Sequence, residues 1–121
     1  MEIGVEDRGN VLVLRVSGRI DHLNATAFHE ALTPHLLRCS ADSTPILLDL
    51  SGLDYISSAG LRIFMIMAKQ IRLHGGRIAV AQMQPLVREI FEISHFHLVY
   101  EIFSSINDAL ATVGSTASAT T

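Results

Sequence analysis

Two periods of apolar residues divide this chain. Residues 11–16, Val-Leu-Val-Leu-Arg-Val, are apolar in all but one position and lie between Gly9-Asn10 and Ser17-Gly18. That pattern predicts a strand, paired with residues 3–6 across a turn at Asp7-Arg8-Gly9-Asn10. The period then lengthens. Ala27, Phe28, Ala31, Leu32 and Leu36 recur at helical spacing between residues 23 and 37 and predict one buried helix face. Asn24 or Asp21 stands where a cap is needed, and Pro34 inside the pattern predicts a kink or a break.

Ser40-Ala41-Asp42-Ser43-Thr44-Pro45 reads as a loop. Ile46-Leu47-Leu48-Asp49-Leu50 is an almost continuous apolar run, which suits a strand covered on both faces. A connection through Ser51 to Ile56 then leads, at Ser57-Ser58-Ala59-Gly60, into a long helix that Gly75-Gly76 ends after His74. Residues 77–81 predict another strand. Pro85 opens a helix through residue 93, since proline at the first position lacks only a donor that would go unused. Residues 95–102 predict a strand or extended segment. Ser104-Ser105 precedes a last helix over residues 106–113. Residues 114–121 are all Gly, Ser, Thr or Ala, which predicts a disordered C-terminal tail behind a single domain at residues 1–113.

Strand and helix alternate after the opening hairpin. The expected class is therefore α/β: a mostly parallel sheet of about four or five strands, with an N-terminal hairpin and about four helices packed against it.

Composition narrows the function. Nine Lys and Arg stand against twelve Asp and Glu, a formal charge of −3, which argues against general nucleic-acid binding. One cysteine, Cys39, allows no intrachain disulfide. The most apolar stretch, residues 61–73, contains Arg62, Lys69, Gln70 and Arg72 and falls short of the roughly 20 apolar residues that a membrane span needs. Met1-Glu2-Ile3-Gly4 shows no basic segment followed by an apolar run, so no secretory signal and a reducing, cytoplasmic setting are expected.

Signatures of catalysis are sparse. No dinucleotide fingerprint, P-loop or nucleophile elbow occurs. Cys39 has no matched base and reads as a bland thiol. His95 and His97 would share a face on a strand, yet two ligands do not make a metal site; a small metal-dependent enzyme through them is the least favoured reading. His29 and His35 are expected on the polar side of the first helix. Asp49 and Asp54, set around a turn, read as a solvated acidic rim. No enzyme activity, cofactor or metal is expected.

The junction Asp49-Leu50-Ser51-Gly52-Leu53-Asp54-Tyr55-Ile56-Ser57-Ser58-Ala59-Gly60-Leu61 differs. Two serines stand where a helix begins, and either can serve as its cap. Small residues leave the first turn uncluttered, and helix amides there favour an anion. A phosphate on such a serine adds nearly two negative charges without unfolding the helix.

This junction resembles the STAS domain, the fold of bacterial anti-sigma factor antagonists. The family loop carries Asp-Ser-Ser-Gly or Asp-Ser-Ala-Gly before Leu or Ile, and Ser58-Ala59-Gly60-Leu61 matches its last four positions. Gly18-Arg19-Ile20-Asp21 resembles the family's Gly-x-Leu/Ile-Asp before the first helix. The resemblance implies phosphorylation at Ser58 by an anti-sigma factor serine kinase, binding of that kinase by the unphosphorylated form, and reversal by a phosphoserine phosphatase. Ser57 stands where the family has Asp and is a second candidate acceptor. The partner-binding residues expected are Asp21, Asp54, Ser57, Ser58, Ala59, Gly60 and Leu61, with Arg62 and Met65 of the helix that follows. The alternative is a soluble STAS subunit of a lipid transport complex of the ABC type.

The long helix supplies an independent clue. At about 100° per residue, Arg62, Lys69 and Arg72 share one face, with Met65, Ile66 and Leu73 on or beside it. Leu61, Phe64, Ala68 and Ile71 form the stripe expected on the sheet. The mixed outward face suits a partner, or a second copy in a homodimer, and its cations suit an acidic one.

Overall fold

The structure, a computed structural model, describes residues 1–8, 10–39 and 44–119. The strands are β1 (Glu2–Asp7), β2 (Leu12–Ile20), β3 (Ile46–Ile56), β4 (Ile78–Ala81) and β5 (Glu101–Phe103). The helices are α1 (Ala25–Leu36), α2 (Ser58–Leu73), α3 (Pro85–Ile93) and α4 (Ile106–Ala119), with a 3₁₀ turn at Phe96–Leu98. The five strands lie side by side in chain order. β1 runs antiparallel to β2, and every other pairing is parallel. The expected sheet, opening hairpin and four helices are all present. Two expected loops, the hairpin turn at Gly9 and the segment from Ser40 to Ser43, lie outside the described residues.

Alternation along the strands sorts side chains to two faces. Leu14, Leu48, Leu50 and Val80 point into a core shared with Phe28 and Leu32 of α1, Phe64, Met67 and Ile71 of α2, and Val87 and Phe91 of α3. Phe28 stacks on Phe64 at 5.6 Å, and Phe64 meets Phe91 edge-on at 5.4 Å. The buried Tyr100 hydroxyl donates to the Phe64 carbonyl at 2.6 Å. On the opposite face Val13, Leu47, Ala79 and Ala81 pack under Ala109 and Val113 of α4.

Several expected boundaries move. β2 does not stop at Ser17-Gly18. It continues to Ile20, with Gly18 at φ +94 beside a register shift against β3. β3 likewise continues from Leu50 through Ser51, Gly52 and Asp54 to Ile56, because the far half of β2 supplies a parallel partner. Asp49 and Asp54 thus share one strand rather than flanking a turn. α1 runs unbroken through Pro34, which falls in its last turn and forfeits a single backbone bond. Its buried face is Ala25, Phe28, Leu32 and Leu36, while Ala27 and Ala31 are exposed. Of residues 95–102, the middle forms the 3₁₀ turn and only the end enters β5. α4 continues to Ala119 instead of stopping at Val113, with buried Gly114 close to Val11 and Asn10. The rest of the expected tail, residues 120 and 121, lies outside the described residues.

Candidate functional site

The end of β3 delivers the chain to the start of α2. Ile56 is buried, and the next amide, Ser57 N–H, donates to the Ile20 carbonyl at 2.9 Å. This bond ties the start of α2 to the end of β2. Ser57 keeps extended backbone (φ −87, ψ 174), and its hydroxyl accepts the Gly60 amide at 3.3 Å. Its carbonyl accepts the Leu61 amide at 2.9 Å. Ser57 is therefore the N-cap, the residue that satisfies amides left open at a helix start.

Ser58 is the first residue of α2 and is exposed. Its orientation follows from Gly60. A β-carbon on Gly60 would lie 2.7 Å from Ile20 Cγ2 and from Ile56 Cγ1, so the helix backbone rests directly on those side chains. Positions two apart on a helix point to opposite sides. Seating Gly60 on the sheet turns Ser58 outward. The Ser58 hydroxyl makes no hydrogen bond among the described residues, and the first turn holds no acidic side chain.

The other expected partner-binding residues divide by exposure. Arg62 is exposed; Met65, Leu61 and Ala59 are half-buried against the core. Gly60 is buried, so the small-residue signal there belongs to packing and not to room for a partner. Asp21 is half-buried, and its carboxylate accepts the Leu23 and Asn24 amides at 2.9 and 3.2 Å. Asn24 answers by accepting the Asp21 amide at 2.8 Å and donating to the Arg19 carbonyl at 2.8 Å. Both expected cap residues thus build the turn before α1, and Asn24 makes no side-chain bond to the helix amides. Asp54 is exposed on β3 and accepts the Gln84 side-chain amide at 3.2 Å, which links that strand to the start of α3. Asp21, Asp54 and Ser58 accordingly lie at one end of the sheet, beside the C-terminal ends of β2 and β3.

Some features had weak sequence signals. Arg19 lies over the Tyr55 ring, 4.7 Å from its centroid, as a cation–π pair. Asp49 is buried; it accepts the Ser51 amide at 3.0 Å and lies 3.4 Å from Arg15, which also contacts Glu6 at 2.6 Å. Desolvation works against ionising Glu6, but Arg15 and Arg8 outweigh it and hold its carboxyl below the usual range. Three charged residues meeting across three strands leave no local pattern. Met67 was absent from the expected stripe, yet it is buried where Leu61 is only half-buried, because the helix is rotated slightly toward it.

His95 and His97 do not share a strand face. His95 adopts φ +60, His97 sits in the 3₁₀ turn, both are exposed, and their rings are 5.9 Å apart. Among the described residues no three His, Cys, Asp or Glu converge as metal ligands. His29 is half-buried, with its Nε2 3.2 Å from Gln70 Oε1 of α2, and His35 is half-buried too. Cys39 is buried, which raises its thiol pKa, and the thiol donates to the Arg77 carbonyl at 3.5 Å. No helix among the described residues is long and apolar enough to cross a membrane.

The hairpin-led parallel sheet, with an exposed serine at the head of α2, defines a STAS domain. The chain belongs to that family, whose model matches residues 2–109. It is similar to a Bordetella bronchiseptica protein, BtrV, named as a candidate anti-sigma factor antagonist. The two are 32% identical over 111 residues, covering 92% of this chain and 93% of that one. The anti-sigma-F factor antagonist RsfB of Mycobacterium tuberculosis is 26% identical over 92% of this chain and 88% of its own. Among solved structures, an anti-sigma factor antagonist from Mycobacterium paratuberculosis gives a TM-score of 0.81 at 25% identity, covering 93% of this chain and 92% of that chain. The unphosphorylated form of SpoIIAA shares the fold, with a TM-score of 0.74 at 18% identity and coverage of 93% and 96%.

Proposed function

We propose that this protein is an anti-sigma factor antagonist that binds an anti-sigma factor kinase and is released from it when Ser58 is phosphorylated. The names carried by its relatives support the general role. The observation that carries the site is the division of labour between two adjacent serines. Ser57 is half-buried and its oxygen is committed to the Gly60 amide, while Ser58 is exposed with its hydroxyl uncommitted.

The chemistry follows from that placement. The Ser58 oxygen attacks the γ-phosphorus of ATP held by the kinase, ADP leaves, and the hydroxyl proton passes to a base on the kinase. The product is a phosphate at a helix N-terminus, where the dipole favours negative charge, so the fold persists. What changes is the surface that docks: nearly two more negative charges and three acceptor oxygens appear at the head of α2, at the end of the sheet that also carries Asp21 and Asp54. A phosphoserine phosphatase resets the surface.

Phosphosite mapping tests this reading. The protein is incubated with ATP and the anti-sigma kinase encoded nearest its gene, then digested and sequenced by mass spectrometry. The expected result is one phosphate at Ser58, lost in Ser58→Ala and retained in Ser57→Ala. A phosphate confined to Ser57, or none, contradicts it.

A further inference from the structure

The chain has nine Lys and Arg. Arg8, Arg15, Arg77 and Arg88 form ion pairs, Arg19 lies over Tyr55, and Arg38 is also engaged. The remaining three, Arg62, Lys69 and Arg72, make no ion pair or hydrogen bond among the described residues. All three are exposed, and all belong to α2. Their spacing puts them on one side of the helix, from its second turn to its last. α2 contains no Asp or Glu to balance them. A chain of formal charge −3 thus gathers its uncommitted cations on a single helix face that starts one turn after Ser58.

We infer that the outward face of α2 docks an acidic surface of the anti-sigma factor, and that phosphate on Ser58 weakens this dock by pairing with Arg62. The inference rests on the function proposed above and names the chemistry of its interface. Charge decides the partner's sign. The fold decides its class. A helix that lies on a membrane buries its apolar side in lipid, whereas the apolar side of α2, with Phe64, Met67, Ala68 and Ile71, is already spent on the core. Three cations on an acidic protein are too few for a nucleic-acid surface.

The link to Ser58 is geometric. Residues four apart on a helix are neighbours, and the acidic member gains more when it is the N-terminal one. Phosphoserine at 58 and Arg62 stand in that relation. A guanidinium matches phosphate as a two-pronged donor. A phosphate carries about −1.5 to −2 at neutral pH, about half to two-thirds of the formal +3 on this face. One modification at the end of the stripe both removes Arg62 from the partner's reach and offsets at least about half of the charge that attracts it.

Binding of the full chain to its cognate anti-sigma factor is measured from about 50 to about 300 mM NaCl, where screening of exposed charges sharpens. The variants are Arg62→Gln/Lys69→Gln/Arg72→Gln and the charge-keeping Arg62→Lys/Lys69→Arg/Arg72→Lys. The neutral variant is expected to bind about tenfold or more weakly at low salt, mostly through slower association, and to lose its salt dependence. The charge-keeping variant retains both. A neutral variant that binds like the wild type, with the same salt dependence, overturns the dock while leaving the proposed function standing. A wild type that fails to bind at any salt overturns both. Cosedimentation with phosphatidylglycerol vesicles that is lost in the neutral variant overturns the choice of a protein partner. Phosphorylation should weaken Arg62→Gln by a smaller factor than it weakens the wild type; equal factors contradict the pairing.

Discussion

The Gly60 amide donates to the Ser57 hydroxyl at 3.3 Å, so the serine that caps the helix is not the serine that faces solvent. Two identical side chains, adjacent in sequence, are separated by what the fold asks of each.

That separation is measurable as stability. Ser57→Ala should cost about 1 kcal/mol, the usual loss of an N-cap. Ser58→Ala should stay within about 0.5 kcal/mol, as for an exposed residue with no partner. Urea denaturation of the two variants beside the wild type checks both. Equal losses would mean that the hydroxyls share the cap.

Gly60 is the second place where fold and docking part. Gly60→Ala should cost about 1–3 kcal/mol, because its methyl must displace Ile20 or Ile56 from 2.7 Å. The larger Gly60→Val should cost more. Affinity of the folded fraction for the kinase should change less than stability does. A Gly60→Ala protein as stable as the wild type would mean that α2 lifts freely from the sheet.

This residue also marks where reading the chain stops. Ser58-Ala59-Gly60-Leu61 is visible in the sequence, and so is the strand-to-helix junction that carries it. What Gly60 touches is not, because Ile20 lies on β2, far away in the chain. The same holds for β3. Ser51, Gly52 and Asp54 look like a loop, and they extend a strand only because the second half of β2 pairs with them. Long apolar runs, Pro85 and Gly75-Gly76 act locally, and the elements they mark fall close to where they were expected. The histidines at 95 and 97 mislead for the opposite reason: their spacing suits a strand, but His95 turns into the left-handed region and starts a 3₁₀ turn.

A carboxylate at Ser58 separates charge from fold. Ser58→Asp should leave the protein as stable as the wild type or slightly more so, by about 0.3–1 kcal/mol, since a negative group at a helix start is favourable. It should nonetheless weaken kinase binding, as a partial phosphate mimic. Calorimetric unfolding and a binding titration on one preparation check the pair of outcomes. A large drop in melting temperature with binding intact would make Ser58 a structural residue.

Tyr100 gives a pH signature of the aromatic core. Burial pushes its phenol pKa well above the ordinary tyrosine range, so the native state favours the neutral form. The unfolded chain ionises near pH 10; this contribution is therefore whole below that pH and is lost as pH rises above it. Tyr100→Phe should cost about 1 kcal/mol at neutral pH, through the lost bond to the Phe64 carbonyl. Its stability should then fall less steeply than that of the wild type above about pH 10. Parallel profiles would show that the phenol is not shielded.

The switch itself is tested by one comparison. The same preparation, before and after stoichiometric phosphorylation at Ser58, is titrated into the anti-sigma factor kinase by calorimetry. The unphosphorylated form should bind, and the phosphorylated form should bind at least about tenfold more weakly, a difference of about 1.4 kcal/mol. Equal affinities for the two forms would contradict the account.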